Sequence, residues 1–421
     1  MKEKVSLKQE ATPLPSSKKA AVWLLAVSQG LQSFGTSVFA ISLALLAGQN
    51  GDFLGLGLVL AARTIPTVVV ALFGGVAADL WSKKLLAILT LLGVAVLNVA
   101  TLFSVVHQGL GPITQVISLA SGLISAFGAP ALYTLLPSVV SAENNFRANA
   151  VVRTFRNAGS LLGPILATFV STSFQTTSGI ALSSVFFVCS ALCILPVRIS
   201  GVVTRSEGIK KDIRAAFSAL KDHRWFGHLL LFWALFLALQ SGFTSVLQPI
   251  AATSKAGPAS YGAMAAALAV GYLMGSLLCT KWKVEKSLLT ASVGFFALCS
   301  LPNFALATFA QPLWWCLAAM VAGLGLEISG VAWGSALQTR VPEEHLGKFS
   351  SLDYAVSFGL LPVGYALCGF LGASLPTNSL LLVGGWILLL GPLAYLAVSY
   401  RFDVKNSLSA GRTDFESPEK A

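Results

Sequence analysis

Two charged residues, Arg63 and Glu327, fall inside long apolar runs of the chain. If those runs lie in a bilayer, each such charge costs roughly 2.5–3.5 kcal/mol, so a side chain of this type is a candidate for chemistry. Glu327 is flanked by Leu326 and Ile328, with Gly323, Gly325 and Gly330 close by. A carboxyl in that setting suits a site that takes up and releases a proton in turn. The competing reading is a structural Glu hydrogen-bonded to a neighbouring helix. Arg63 keeps its proton, so it can hold an anionic group of a substrate or neutralise a buried carboxylate. These two residues are the proton-coupling candidates.

Other apolar runs carry single polar positions: Gln29, Gln32 and Ser33, then Asn98, Gln115, Gln240 and Gln248. Trp23, Trp233 and Trp333 add aromatic surface, although a Trp near the end of a span is commonly an interface anchor. Nucleophile, His and acid residues form no catalytic constellation. There is no metal-ligand spacing and no Gly-rich phosphate loop ending in Lys-Ser/Thr. The chain is therefore not expected to be an enzyme or an ATP-driven pump, and no metal or other cofactor is expected. All 6 Cys fall in apolar runs and read as packing residues rather than a disulfide framework.

The elements that must position these residues follow from composition. Of 421 residues, 55% are hydrophobic and only 11% charged, with a mean hydropathy of +0.77. A soluble domain carries about 25% charged residues. Twelve apolar stretches account for the difference: 20–47, 53–78, 85–106, 112–140, 148–174, 179–197, 226–250, 259–279, 287–310, 312–337, 349–374 and 378–400. A hydrocarbon core of about 30 Å takes roughly 20 such residues as helix. Pro66, Pro130, Pro164 and Pro362 stand inside these stretches, which membrane helices tolerate because neighbours satisfy the freed carbonyls.

Basic residues sit almost wholly in alternate gaps. One side carries Lys2, Lys4, Lys8, Lys18, Lys19, Lys83, Lys84, Arg147, Arg153, Arg156, the basic residues of 198–224, then Lys281, Lys283, Lys286, Arg340, Lys348 and those of the C-terminal tail. The opposite gaps hold Lys255 alone. The positive-inside rule then puts both termini in the cytoplasm of a multi-pass protein of the cell membrane. The first apolar run is too long for a signal peptide core, so it is expected to stay as an anchor. The formal charge of +11 reads as topology beside anionic lipid rather than as a nucleic-acid surface.

The long central gap divides the chain. The expected organisation is a cytoplasmic tail over 1–19, a six-helix bundle over 20–197, a linker over 198–225, a second six-helix bundle over 226–400 and a tail over 401–421. Within the linker, Ile213, Phe217 and Leu220 share one face of an amphipathic helix expected over 209–220. Leu135-Leu-Pro137 with Gly159, Gly163 and Pro164, and Arg340-Val-Pro342 with Gly359, Pro362 and Gly364, lie about half a chain apart. Parallel repeats related by an axis along the membrane normal have that spacing.

After the second stretch the chain reads Gly75-Val-Ala-Ala-Asp79-Leu80-Trp-Ser-Lys83-Lys84. This resembles a loop of the major facilitator superfamily, with Leu80 in place of a usual Arg. The corresponding loop of the second half, from Gly275 to Lys283, is more degenerate. Gly159-x-x-x-Gly163-Pro164 resembles the core of a drug/proton antiporter motif, with Ala167 and Thr168 where a Gly pair is usual. The block from Gly323 through Glu327, Trp333, Gln338, Pro342 and Gly347 to Asp353 resembles the twelve-span drug-exporter branch that includes bacterial macrolide efflux proteins and the enterobactin exporter. Gly334 stands where many of these have an Asp.

The resemblance covers essentially the whole chain and implies an all-α membrane protein of twelve helices in two six-helix bundles. It implies a secondary active transporter, a monomer, that couples proton entry to export of a drug, antibiotic or other amphiphilic small molecule by alternating access. A nutrient importer or symporter and a lysophospholipid flippase are the alternatives. By the same resemblance Asp79, with Lys83 and Lys84, gates the cytoplasmic side against the start of the eleventh helix at 348–353. Asp353 and Arg153 either pair across the two halves or form a solvated rim. Gly159, Gly163 and Pro164 permit close packing and a kink. Gln29, Gln32, Gln240 and Trp333 line the cavity.

Overall fold

The computed structural model describes residues 16–73, 82–136, 138–140, 142–197, 224–281, 288–341 and 343–413. Among them every regular element is a helix, the form in which a single segment satisfies all its own backbone groups in hydrocarbon. The first half supplies α1 (Ser16–Asn50), α2 (Phe53–Phe73), α3 (Lys83–Gln108), α4 (Pro112–Leu135), α5 (Ala142–Ser173) and α6 (Ser178–Ile194). The second supplies α7 (Arg224–Gly242), α8 (Gln248–Ala256), α9 (Pro258–Lys281), α10 (Leu288–Phe296), α11 (Leu301–Thr308), α12 (Pro312–Arg340), α13 (Glu343–Gly359), α14 (Leu361–Ser374) and α15 (Thr377–Thr413). Twelve spans result because three of them are broken: a π turn at Phe243–Leu247 joins α7 to α8, a 3-10 turn at Ala297–Ser300 joins α10 to α11, and α13 runs on into α14.

Eight of the described helical segments are long and apolar enough to cross a membrane, and Phe53–Thr67, Pro112–Gly128 and Ser178–Ile194 are shorter apolar helices. α5 is the remaining span; Arg147, Arg153 and Arg156 make its first half polar. Helix starts follow local rules. Ser82 caps α3 by accepting from the Leu85 N–H at 3.1 Å. Pro112, Pro258 and Pro312 open α4, α9 and α12, where the missing N–H costs nothing. α15 continues as helix to Thr413, beyond residue 400 where its apolar run ends. The amphipathic helix expected over 209–220, together with Asp79 and Leu80, lies outside the described residues.

The chain falls into two compact units, Met1–Asn50 with Leu58–Ala219, and Gly51–Gly57 with Leu220–Ala421. In the first, α1 packs on α5 and α6, and α3 packs on α4 and α6. Its core gathers Leu25, Leu91, Leu135, Phe187 and Ile194, all 3% exposed or less. The opposite faces turn Val96, Phe103 and Val116 outward, an apolar surface that only a lipid phase covers. In the second unit α12 packs on α9 and α10, and α7 on α13 and α14. Glycines set the α9–α12 spacing: a Cβ on Gly323 would overlap the Leu268 carbonyl, and one on Gly271 the Met320 carbonyl.

Candidate functional site

The second unit contains a recess of about 370 Å³, counting its open mouth, lined by Gln240, Thr244, Gln248, Tyr261, Met264 and neighbouring apolar side chains. Gln240, Thr244 and Gln248 are four residues apart. In an unbroken α-helix, eight residues at 100° each would turn Gln248 about 80° away from Gln240. The wider π turn at Phe243–Leu247 absorbs this drift, so all three side chains face the recess. Gln240 donates to the Thr244 hydroxyl at 2.9 Å, and Gln248 donates to Asn303 Oδ1 at 2.8 Å. Asn303 Nδ2 is buried without a partner. Polar groups on an otherwise apolar wall fix orientation in small-molecule sites.

Glu327 lies on α12 against Gly275 of α9, where an added Cβ would come within 2.9 Å of the Glu327 Cβ. The side chain is half-buried, and its carboxylate has no hydrogen-bond partner among the described residues. The structural alternative weighed from sequence, a Glu bonded to the next helix, is not what the geometry shows. Trp333 is six residues further along α12 and is not part of the recess lining. It stacks on Phe226 at 6.0 Å with the rings 5° from parallel, and its Nε1 donates to Asp353 at 3.0 Å. The other Asp353 oxygen accepts from the Ser357 hydroxyl at 3.0 Å. Both oxygens of Asp353 thus have donors inside their own unit.

In the first unit Gln29 is buried and Gln32 half-buried on α1. The α1–α5 seam is built of small residues. A Cβ on Gly159 would overlap the Gly30 carbonyl, one on Gly163 would overlap Ser37, and the Ser33 and Ser160 hydroxyls bond at 2.6 Å. Pro164 is buried inside α5. Arg153 is exposed near the start of the same helix. Lys84 donates to the carbonyls of Leu195 and Val197 at 2.6 and 2.9 Å, closing the end of α6 where unpaired carbonyls and the helix dipole favour a cation. Lys83 is half-exposed at the start of α3. Arg63 packs its guanidinium over Phe39, 4.2 Å from the ring centroid.

Sequence reasoning did not foresee the π turn, the recess residues Thr244 and Tyr261, or the Asn303 amide that pairs with Gln248. The one signal present was the spacing of Gln240 and Gln248, which an α-helical reading places on different faces.

A family model described as Major Facilitator Superfamily matches residues 25–352. The chain belongs to that superfamily. Among curated relatives, an enterobactin exporter, EntS, of Salmonella typhimurium (strain LT2) is 27% identical over 341 residues, covering 77% of this chain and 79% of the relative. EntS of Escherichia coli O1:K1 is 26% identical over 295 residues, 67% of this chain and 68% of its own. Among solved structures, the nucleoside transporter NupG superposes with a TM-score of 0.68 at 13% identity, over 90% of this chain and 98% of that one. A D-xylose-proton symporter gives 0.63 at 13%, over 88% and 96%. At that identity the structures establish the fold. This superfamily member is a multi-pass membrane transporter of small molecules rather than an enzyme, with twelve helices in two six-helix bundles.

Proposed function

We propose that this facilitator is an exporter in which proton entry drives an amphiphilic small molecule out of the cell by alternating access. The observation that carries the direction is the alignment with enterobactin exporters along 77% of the chain. Glu327 supports proton coupling, being a half-buried carboxyl in a span with no partner among the described residues. The recess on the π turn, with Gln240, supplies polar groups for a cargo, and Gln29 and Gln32 of the first unit are further cargo-contact candidates in this reading. Asp79, Lys83, Lys84, Arg153 and Asp353 serve as the cytoplasmic gate, and the Gly159–Gly163–Pro164 turn lets α1 and α5 stay in close contact as the bundle moves. The charge ladder supports an inner-membrane placement with cytoplasmic termini. One proton moving down about 100 mV yields roughly 2.3 kcal/mol, enough for a gradient of about 50-fold.

The test is uptake of a fluorescent amphiphile into inverted vesicles, with and without a pH gradient and potential, in wild type and Glu327→Gln. Wild type should accumulate the probe only when energised, and Glu327→Gln should lose the dependence on the gradient. Unchanged accumulation after both gradients are dissipated refutes antiport. Uphill movement only in right-side-out vesicles makes the protein an importer.

A further inference from the structure

The efflux reading leaves Arg63 without a task, and its surroundings narrow the chemistry of the cargo. The guanidinium lies over the Phe39 ring of α1, which is itself only 2% exposed. The ring face attracts the cation but accepts no strong hydrogen bond. Arg63 Nη1 is buried and has no hydrogen-bond partner, although all five guanidinium N–H groups are donors that seek acceptors. α4 closes the third side: Gly122 lies directly against the Arg63 backbone carbonyl, leaving no room for a Cβ. One turn earlier on the same face of α4, Ser118 buries a second unpartnered polar atom, its Oγ.

Among the described residues, no acid of this half supplies the missing charge. Between residues 20 and 197 the acids are Asp52, Asp79 and Glu143. Asp52 precedes Arg63 by eleven residues, about 16 Å along a helix axis, and its carboxylate accepts from the Gly55 N–H at 2.8 Å. Asp79 lies outside the described residues. Glu143 belongs to the first turn of α5, at the end of its span. Among the described residues, the ion pair that sequence alone offered for Arg63 therefore has no acid inside its own bundle. A guanidinium that keeps a buried Nη1 without an acceptor is expensive, and a cation retained at that cost calls for an anion that comes and goes.

We propose that Arg63, supported by Phe39 and joined by the Ser118 hydroxyl, is a subsite for an anionic oxygen group of the cargo: a carboxylate, sulfonate or phosphate on a molecule whose apolar part rests on the Phe39 side. This deepens the efflux reading and rests on it. The probes are pyrenebutyrate and its uncharged methyl ester, titrated by pyrene fluorescence into the purified full chain in maltoside micelles without anionic lipid. Pyrenebutyrate should bind more tightly than the ester. Arg63→Gln should weaken pyrenebutyrate by about tenfold or more and leave the ester within about twofold. Arg63→Lys should keep part of the preference, and Ser118→Ala should lose about three- to tenfold for the anion alone.

Equal loss of both probes, or loss of neither, in an Arg63→Gln protein of unchanged gel-filtration profile overturns the proposal. Should Arg63→Gln fail to fold, absence of a selective loss in both Arg63→Lys and Ser118→Ala overturns it. Arg63-dependent binding of phosphatidylglycerol but not of pyrenebutyrate assigns the site to a lipid headgroup and overturns the cargo assignment. Export of the methyl ester from vesicles separates the two levels. If the ester is exported and no anion preference exists, the subsite fails and efflux stands. If neither probe moves while selective binding is intact, the efflux reading fails and the anion site stands.

Discussion

The Trp333 indole donates to Asp353 Oδ2 at 3.0 Å, tying the last turns of α12 to the body of α13. Ser357 holds the other oxygen at 3.0 Å, and Phe226 covers the indole face. Removing the acceptor leaves an indole N–H in an aromatic pocket with nothing to bond. Asp353→Ala should therefore cost about 1–3 kcal/mol of stability, and Asp353→Asn, which keeps an acceptor, should cost less than half as much. Thermal unfolding of the detergent-solubilised protein reads both. Equal melting of Asp353→Ala and wild type would show that the contact contributes nothing.

Two glycines on α12 should respond with opposite signs. Gly330 faces open space, with no atom within 4 Å of a built Cβ, whereas at Gly323 the Cβ would overlap the Leu268 carbonyl. Gly330→Ala gains helix propensity, about 0.5–1 kcal/mol. Gly323→Ala must push α9 from α12 and should lose about 1–3 kcal/mol. Melting temperatures that move in the same direction would contradict the close approach of these helices.

Gln248 and Asn303 form a buried amide pair at 2.8 Å. Gln248→Leu and Asn303→Leu should each cost about 1–3 kcal/mol, since each strands its partner. The double replacement strands neither, so its cost should fall below the sum by about 0.5–3 kcal/mol. Strict additivity in the double-mutant cycle would mean that the amides do not interact.

Ala265 lines the recess beside Met264. Ala265→Phe should fill that space and depress energised export by about tenfold or more if the recess holds cargo. Full export by a stably folded Ala265→Phe protein would remove the recess from the transport path.

The spans were legible because hydrocarbon imposes one rule on every stretch, and the basic residues mark alternate ends. Arg63 and Glu327 stood out for the same reason, as charges inside that solvent. What escaped was set by packing. Trp333 looked like cavity surface, yet Phe226 and Asp353 come from 107 residues before it and 20 after it and enclose it. Lys84 was legible as a charge at a helix end, whereas the α6 carbonyls that its amine bonds, more than a hundred residues away, were not. No local pattern encodes those partners. Thr244 was invisible because the helical period that assigns faces fails at the π turn, and Asn303 because its partner Gln248 lies 55 residues away.

That turn lets the wall of the recess tolerate a change in chain length. Phe243–Leu247 holds one residue more than an α-helical path requires. Deleting Ser245 or Val246 would let the helix close into a regular spiral with Gln240 and Gln248 seven residues apart, about 700° and so about 20° short of two turns, and both amides would stay on the wall. Relatives can therefore differ here by one residue in length and keep the same polar pair, a change that a comparison of residue types at aligned positions would score as a gap.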